Sequence, residues 1–506
     1  MDGDGWGARG WVAGVAVGGV GLAIVLTIAI GALGPSAVVP ALPGAGWQPP
    51  YSLDARPDGH LVIAMEAAAV VLGAVGLAAA LLAVRRGRRP DPRLLLLAGC
   101  LAAAVLAFLP PSGSADHLNY AAYGRMAVLG HDPYATGAAD LPGDPVARVV
   151  EIPWQEEPSV YGPVATAVQA LASLVGGESV RLTVFVLALV NATAFVATAL
   201  LLHRLTHGDR ARQARAALLW TVNPLVIYQL VAGMHVDTLA IVFMVGALAA
   251  GGGRRWWTAG PLLGLGVAVK VNAGLVALGP AWELRRSPAR LAVVAGTAVL
   301  TTVAAYLLAG PDSLDQVLTA SKSISWATPW HLVQALLQTL FGSGAYRAWI
   351  QAGSMLLLVL LSASLLRALR RHAEAGAPTS APRPAASSLG GAPAGEAAWV
   401  ATAVVVAWLF STPYALPWYD GLAFALLALA PVTALDGFAV ARTAALSLAY
   451  LPARQAAQPP DLSWLGTVVR GQVVPWILLA LTAALAWWAL YAARGSTPRA
   501  SAAPRP

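Results

Sequence analysis

The stretch LVIAMEAAAVVLGAVGLAAALLAVRRGRRP, residues 61–90, decides the fold class. Its apolar part, up to about residue 84, is long enough to cross a hydrocarbon core as a helix. It stops at the four arginines of RRGRRP, residues 85–90. Arginines beside an apolar run stay on the cytoplasmic side of a membrane, so this short segment both predicts a span and orients it. A preceding apolar run at about 11–33 and a following one at about 94–110 give the neighbouring spans. With RRGRR held inside, the Gly/Pro-rich loop up to about residue 59 and the segment after Pro111 both face outward.

The whole chain agrees with that reading. Of its 506 residues 58% are hydrophobic and 11% charged, against about a quarter charged in soluble domains, and its mean hydropathy is +0.66. The formal charge of +8 does not point to nucleic acid, because the arginines collect in short loops beside apolar runs. The single cysteine, Cys100, lies in such a run, so neither an intramolecular disulfide nor a cysteine metal site can form. No positive cluster precedes the first span, which reads as a retained helix rather than a cleaved leader.

Further spans are expected at 179–203, 216–231, 236–250, 291–309, 348–368, 396–411, 419–435, 438–451 and 472–492, and a short helix at 331–342. The total is 12 or 13, an all-α polytopic membrane protein. The segment 162–177 is apolar but short, and a crossing there would put HRLTHGDRARQAR (203–215) outside. It is expected to lie at the interface, within an external domain spanning 111–177. Arginines flank 258–282 on both sides, which predicts two half-helices that enter and return, with Lys270 and Asn272 near the turn. Residues 369–395 read as a cytoplasmic linker and 493–506 as a polar tail.

Charge in or beside hydrocarbon costs several kcal/mol, about 2.5 to 3.5 on insertion scales, and marks candidate functional residues. The external stretch GSADHLNYAAYGRMAVLGHDPY, 113–134, carries Asp116, Asn119, Tyr120 and Tyr123 at helical spacing, with His117 and Arg125 to the sides and Asp132 and Tyr134 at its end. Asp116 reads as a general base or as a helix N-cap, and Asp132 as a turn-former or a catalytic carboxylate. WQEEPSVYGP, 154–163, offers Trp154 and Tyr161 for an interface or for stacking on sugar, beside Glu156 and Glu157. His235 and Asp237 form an HxD pair, too few ligands for a metal by themselves, and fit better as a hydrogen-bonded lining of a polar cavity. The only two lysines are Lys270 and Lys322, cations suited to a phosphate where negative charge builds. Trp418 and Tyr419, in STPYALPWYD, are aromatic-belt residues or hold a lipid carrier.

Taken together, ADHLNYAAYGRMAVLGHDPY, EEPSVYGPVATAVQAL, NPLVIYQLVAGMHVDTLAIV and GLGVAVKVNAGLVALGP, between about 112 and 282, and more weakly PWYDG, resemble a known family. It is the actinobacterial polyprenol-phosphate-mannose-dependent alpha-(1→6)-mannosyltransferases of the C-type glycosyltransferase superfamily. The resemblance implies a many-helix C-type glycosyltransferase fold with an external catalytic domain between early helices. It also implies a polyprenyl-phosphate-mannose donor and a glycan or glycolipid acceptor, at the outer face of the cytoplasmic membrane. The family's first-loop aspartate falls on Asp116, its Tyr-Gly-Pro element on Tyr161, Gly162 and Pro163, and its His-x-Asp element on His235 and Asp237. Where family members commonly have a serine before the first-loop tyrosine, this chain has Asn119.

Attack of an acceptor hydroxyl on a β-linked donor needs one base, assigned to Asp116, and gives an α linkage by inversion. Lys270, Lys322 and Arg125 are the expected phosphate ligands. Asn119, Tyr120, Tyr123, Asp132, Tyr134, Trp154, Tyr161, His235, Asp237, Trp418 and Tyr419 are the expected sugar or acceptor contacts. No cofactor or metal is expected, and the expected partners are the donor, the acceptor and membrane lipids. An arabinofuranosyltransferase with a polyprenyl-phosphate donor and a transporter or flippase of lipid-linked precursors are the alternatives.

Overall fold

The computed structural model describes residues 4–315, 323–375, 395–454 and 456–494. Lys322, most of the expected linker and nearly all of the expected tail lie outside the described residues. Among the described residues the chain is helical, with no strand. It opens with α1 (Asp4–Leu33), α2 (Gly59–Arg85) and α3 (Pro92–Ala107). Asp58 starts α2 by accepting from the His60 and Leu61 amides, and Asp91 starts α3 from the Arg93 amide with Pro92 in the first turn. Helices α1 and α2 cross at Gly19 and Gly76, so closely that a Cβ on Gly19 would stand 2.8 Å from the Gly76 Cα. Such small-residue crossings replace the hydrophobic effect as a packing force in lipid.

Among the described residues seven helices are long and apolar enough to cross a membrane: Trp11–Leu33, Gly59–Arg85, Val180–Leu205, Arg210–Ala232, Pro288–Ala309, Arg347–His372 and Pro460–Ala492. Five more apolar helices are shorter, Pro92–Ala107, Pro163–Gly176, Asp237–Gly251, Trp256–Val269 and Glu396–Ser411. Pro288–Ala309 is apolar yet mostly uncovered, with Leu308 89% exposed, as expected of a helix solvated by lipid. The expectation of 12 or 13 full spans therefore resolves into long rods and shorter helices. The expected span 419–435 ends early, at Leu427, because Pro431 cannot continue a helix, and the next helix begins at Leu435. The expected span 348–368 instead runs on to Ala375, into the stretch read as linker.

The segment expected to be external begins with α4 (Asp116–Val128), continues through short 3-10 turns and closes with α5 (Pro163–Gly176). At 14 residues α5 reaches only about 21 Å, short of a hydrocarbon core of about 30 Å. It packs against α4, where a Cβ on Gly124 would meet the Gln169 carbonyl at 2.1 Å. There follow α6 (Val180–Leu205), the rod α7 (Arg210–Ala232, with π turns on both sides of Asn223) and α8 (Asp237–Gly251).

The twice-flanked segment is broken at Lys270. Helix α9 (Ala259–Val269) stops at Lys270, which is extended (φ −156°), and Val271–Ala277 continues as a 3-10 turn into α10 (Leu278–Glu283). Gly260 lies against Val294 and Thr297, and Gly264 against Ala298 and Thr301. These contacts advance in step, so α9 runs parallel to α11 (Pro288–Ala309). Residues 270–287 must then return to the end where α9 began, and the Arg290 guanidinium indeed lies 5.5 Å from the Trp256 ring. Both arginine pairs thus occupy one side.

Two faces follow. At one, Tyr51 N donates to Phe108 O, Gly113 N to Val38 O and Ser112 N to Ala232 O, gathering the first two loops and the end of α7. At the other, Arg215 donates to both Asp436 oxygens, at 2.9 and 2.6 Å, and to Ala430 O. The candidate site belongs to the first face.

Candidate active site

Helix α4 is opened by Ser114, whose Oγ accepts from the Asp116 amide at 3.1 Å. Asp116 therefore does not cap the helix, and its carboxylate is left for other work. Its side chain is 19% exposed. Oδ2 lies 3.5 Å from the Tyr120 hydroxyl, 3.5 Å from the Tyr161 hydroxyl and 3.6 Å from His235 Nδ1. Tyr120 follows one helical turn after Asp116, and its ring meets Tyr161 edge-on at 5.0 Å. Burial raises the Asp116 carboxyl to about 6, against hydrogen bonds from Ser114 and the charge of Lys270, which lower it.

Tyr161 is held by its neighbour. Gly162 N donates to Val269 O at 2.9 Å, at the break of α9. A Cβ on Gly162 would stand 2.2 Å from the Ala268 carbonyl oxygen. Gly162→Ala is expected to push Tyr161 off Asp116 and the broken helix, lowering kcat of the reaction proposed below by about 10²-fold, as misplacements of about 1 Å do. A steady-state assay beside a thermal-unfolding curve checks it.

His235 and Asp237 sit beyond α7, after Met234, whose positive φ (+53°) turns the chain sharply. The two side chains have different partners. His235 is fully buried and stacks on Trp418, with ring centres 3.7 Å apart. Asp237 Oδ2 is 2.6 Å from Lys270 Nζ. Lys270 in turn stands 4.3 Å from the Tyr419 ring centre. Trp418 and Tyr419 are anchored through Asp420, which accepts from Thr443 at 2.7 Å and is paired with buried Arg442. The result is one cluster: a carboxylate held by two tyrosines, with a histidine 3.6 Å away, and a lysine held by a second carboxylate. Five separate stretches of sequence supply it.

The other expected residues are elsewhere. Arg125 pairs with Asp144 at 2.8 Å and reaches toward Glu178 at 3.7 Å. Nine residues along a helix bring it about half a turn round from Asp116, on the opposite face, so the structure does not bring it to Lys270. Tyr123 donates to Glu157 O at 2.9 Å, and the Tyr134 hydroxyl pairs with Thr166 at 2.7 Å. Asp132 accepts from the Tyr134 amide at 2.8 Å, as a turn-former does. These three hold the segment between α4 and α5 together. Asn119 is half-buried on α4, and Trp154 is 46% exposed on the loop leading to Tyr161. His117 is buried, and burial lowers its imidazole to about 3, which keeps it neutral.

Sequence reasoning did not find Ser114, nor Tyr450, whose ring meets Trp418 edge-on at 5.1 Å. It also missed Glu66, buried in α2 and accepting from Tyr228 at 2.6 Å. Ser114 carried a readable signal, a serine two residues before a helix start. Tyr450 lay in an apolar run with none.

Residues 18–286 match a family described as alpha-(1→6)-mannopyranosyltransferase, N-terminal domain. The chain belongs to this family. The matched region holds Asp116, Tyr120, Tyr161, His235, Asp237 and Lys270, and leaves out Trp418 and Tyr419. The chain is 29% identical over 174 residues to alpha-(1→6)-mannopyranosyltransferase B of Corynebacterium glutamicum, covering 34% of this chain and 26% of that protein. It is 27% identical over 170 residues to alpha-(1→6)-mannopyranosyltransferase A of the same organism, covering 34% of each. To a probable alpha-(1→6)-mannopyranosyltransferase of Mycolicibacterium smegmatis it is 32% identical over 148 residues, 29% of this chain and 26% of the relative. The aligned part thus spans a quarter to a third of these relatives.

Proposed function

We propose that this membrane protein moves mannose from polyprenyl-phosphate-mannose to a hydroxyl of a cell-envelope glycan or glycolipid, forming an α linkage, α-(1→6) as in the names of its relatives. The observation that carries the reading is Asp116 lying within the field of the Lys270–Asp237 pair, inside the family-matched region. It joins a base for the acceptor proton to a cation for the departing phosphate.

In this reading the acceptor hydroxyl attacks the anomeric carbon from the side opposite the phosphate. Asp116 takes the hydroxyl proton as the new C–O bond forms. Tyr120, Tyr161 and His235 crowd Oδ2, which leaves Oδ1 to receive that proton. The bond from the anomeric carbon to phosphate oxygen breaks, and Lys270 Nζ stabilises the charge that gathers there. The polyprenyl phosphate needs no proton to leave, so a second acid is unnecessary. Trp418, Tyr419 and Trp154 are the proposed contacts to sugar or carrier. The site face is proposed as the outer face of the cytoplasmic membrane. The arginine-bearing ends of α2, α6 and α8 lie opposite it, which supports that orientation.

The test is transfer of radiolabel from polyprenyl-phosphate-mannose to a short α-mannoside by the protein in nanodiscs, with a polyprenyl-phosphate-arabinofuranose donor in parallel. Mannose transfer supports the reading, and transfer of arabinose alone replaces the sugar. The same assay gives a pH prediction. The base must be ionised, and burial holds its carboxyl up near 6. So kcat/KM is expected to be flat above about pH 7 and to fall about tenfold per unit on the acid side of 6. A profile flat down to pH 5 would exclude Asp116 as the titrating base.

A further inference from the structure

Beside His235 lies a small cavity of about 30 Å³ between α5, α6 and the turn at Met234. Its lining is mostly apolar, but Gln169, Asn191 and His235 also line it. All three are at least nine-tenths buried, at 2%, 8% and 0% exposed. Gln169 Nε2 and Oε1, Asn191 Oδ1 and both His235 ring nitrogens have no hydrogen-bond partner within the protein. Asn191 is fixed in place, since its Nδ2 donates to Leu230 O at 2.9 Å and to His235 O at 3.4 Å. Buried polar groups left without partners are costly, and a cavity of this size has room for one or two waters on those groups.

We propose that Gln169 and Asn191 hold an ordered water beside His235, and that this water fixes the imidazole with its proton on Nδ1, facing Asp116. The valences close. The water donates one hydrogen to His235 Nε2 and the other to Asn191 Oδ1, and accepts the Gln169 Nε2 hydrogen. With Nε2 occupied as an acceptor, the ring proton sits on Nδ1, 3.6 Å from Asp116 Oδ2, where a small closure makes it a donor to the carboxylate. The opposite tautomer would turn a lone pair toward Asp116 and repel it. Gln169 and Asn191 are positioning residues, acting through His235. The tautomer stands on its own, while its effect on rate rests on the mannose-transfer reading.

Hydrogen bonding to the ionised form favours that form, so losing the water raises the pH at which Asp116 loses its charge. The other groups facing Asp116 are Tyr120 and Tyr123 from its own helix, Tyr161, Tyr414, Tyr419, Tyr450 and the Lys270–Asp237 pair. Gln169→Met leaves all of these residues in place, Tyr120 among them, which lines the same cavity. It keeps the volume and removes both polar atoms.

The experiment has two arms on the full chain in nanodiscs. In the first, ¹⁵N-histidine spectra report ring protonation, and the His235 signals among the eight histidines are assigned by their loss in His235→Gln. The wild type is expected to show a protonated Nδ1 and a bare Nε2, and Gln169→Met to move the proton to Nε2. In the second arm, Gln169→Met is expected to lower kcat about tenfold and raise the acid limb by about half to one pH unit, with donor KM within about twofold. In a His235→Gln background, which has no tautomer to fix, the same substitution should add nothing. Asn191→Leu repeats both arms should Gln169→Met fail to fold. An Nε2-protonated wild type, unchanged spectra in folded variants, or additive losses in the His235→Gln background would overturn the inference. The expected spectra with no mannose transfer would instead sink the mannose reading and leave the water site standing.

Discussion

Asp116→Asn is expected to lower kcat for mannose transfer by about 10³-fold, within the usual range for removing a positioned base. The substitution is close to isosteric and removes only the charge and the basic oxygen. Tyr120 and Tyr161 can still donate to the amide oxygen at the Oδ2 position, so the packing of α4 against the loop is kept. Donor affinity should therefore stay within about threefold, a loss on the transition-state side alone. Stability should not fall, because the carboxyl is raised to about 6 by burial. A group whose folded pKa lies above its unfolded value destabilises the fold wherever it is ionised, and that penalty grows as the pH rises past the unfolded value. At neutral pH the asparagine variant is thus expected to unfold at an equal or slightly higher temperature. Loss of transfer with a lowered unfolding temperature and lost donor binding would point instead to a structural role.

How much of this was legible beforehand depended on distance along the chain. Asp116 stood out because a carboxylate beside long apolar runs has few bland explanations, and Tyr120 followed from helical periodicity. The break at Lys270 was legible from the arginines on both sides of its segment. Pairings across long separations were not, such as Tyr161 with Asp116 or Lys270 with Asp237. They depend on how α5 and α9 pack, and no local pattern encodes that. His235 and Asp237 show the limit well. Two residues apart, they read as one sugar-binding unit, but the left-handed turn at Met234 and the helix start at Asp237 send them to different partners. Tyr123 shares the helix face of Asp116 yet lies two turns further on, where it serves the Glu157 loop instead. Spacing names a face and not the atom that face will meet.

Lys270 allows catalysis and folding to be separated. Its side chain and that of Asp237 are 13% and 8% exposed, with nitrogen and oxygen 2.6 Å apart. Removing one partner of a buried pair leaves the other charge uncompensated and costs about 3–5 kcal/mol. Lys270→Met is therefore expected to lower the unfolding temperature clearly and to reduce kcat by about 10²- to 10³-fold, the scale of losing one charge-stabilising donor at a reacting centre. Replacing both partners by neutral groups of similar size is often neutral for stability. The double variant Lys270→Met/Asp237→Asn should then recover most of the lost stability while its kcat stays low, because no cation faces the departing phosphate. An added primary amine should restore part of the rate only if the ammonium group itself acts on that phosphate. If the double variant regained both stability and rate, Lys270 would be a structural counter-ion to Asp237, and the phosphate would have to be met by another cation. Stability without rate is the outcome that follows from a lysine placed at the break of α9, in extended backbone, where its side chain can leave Asp237 for a more negative partner.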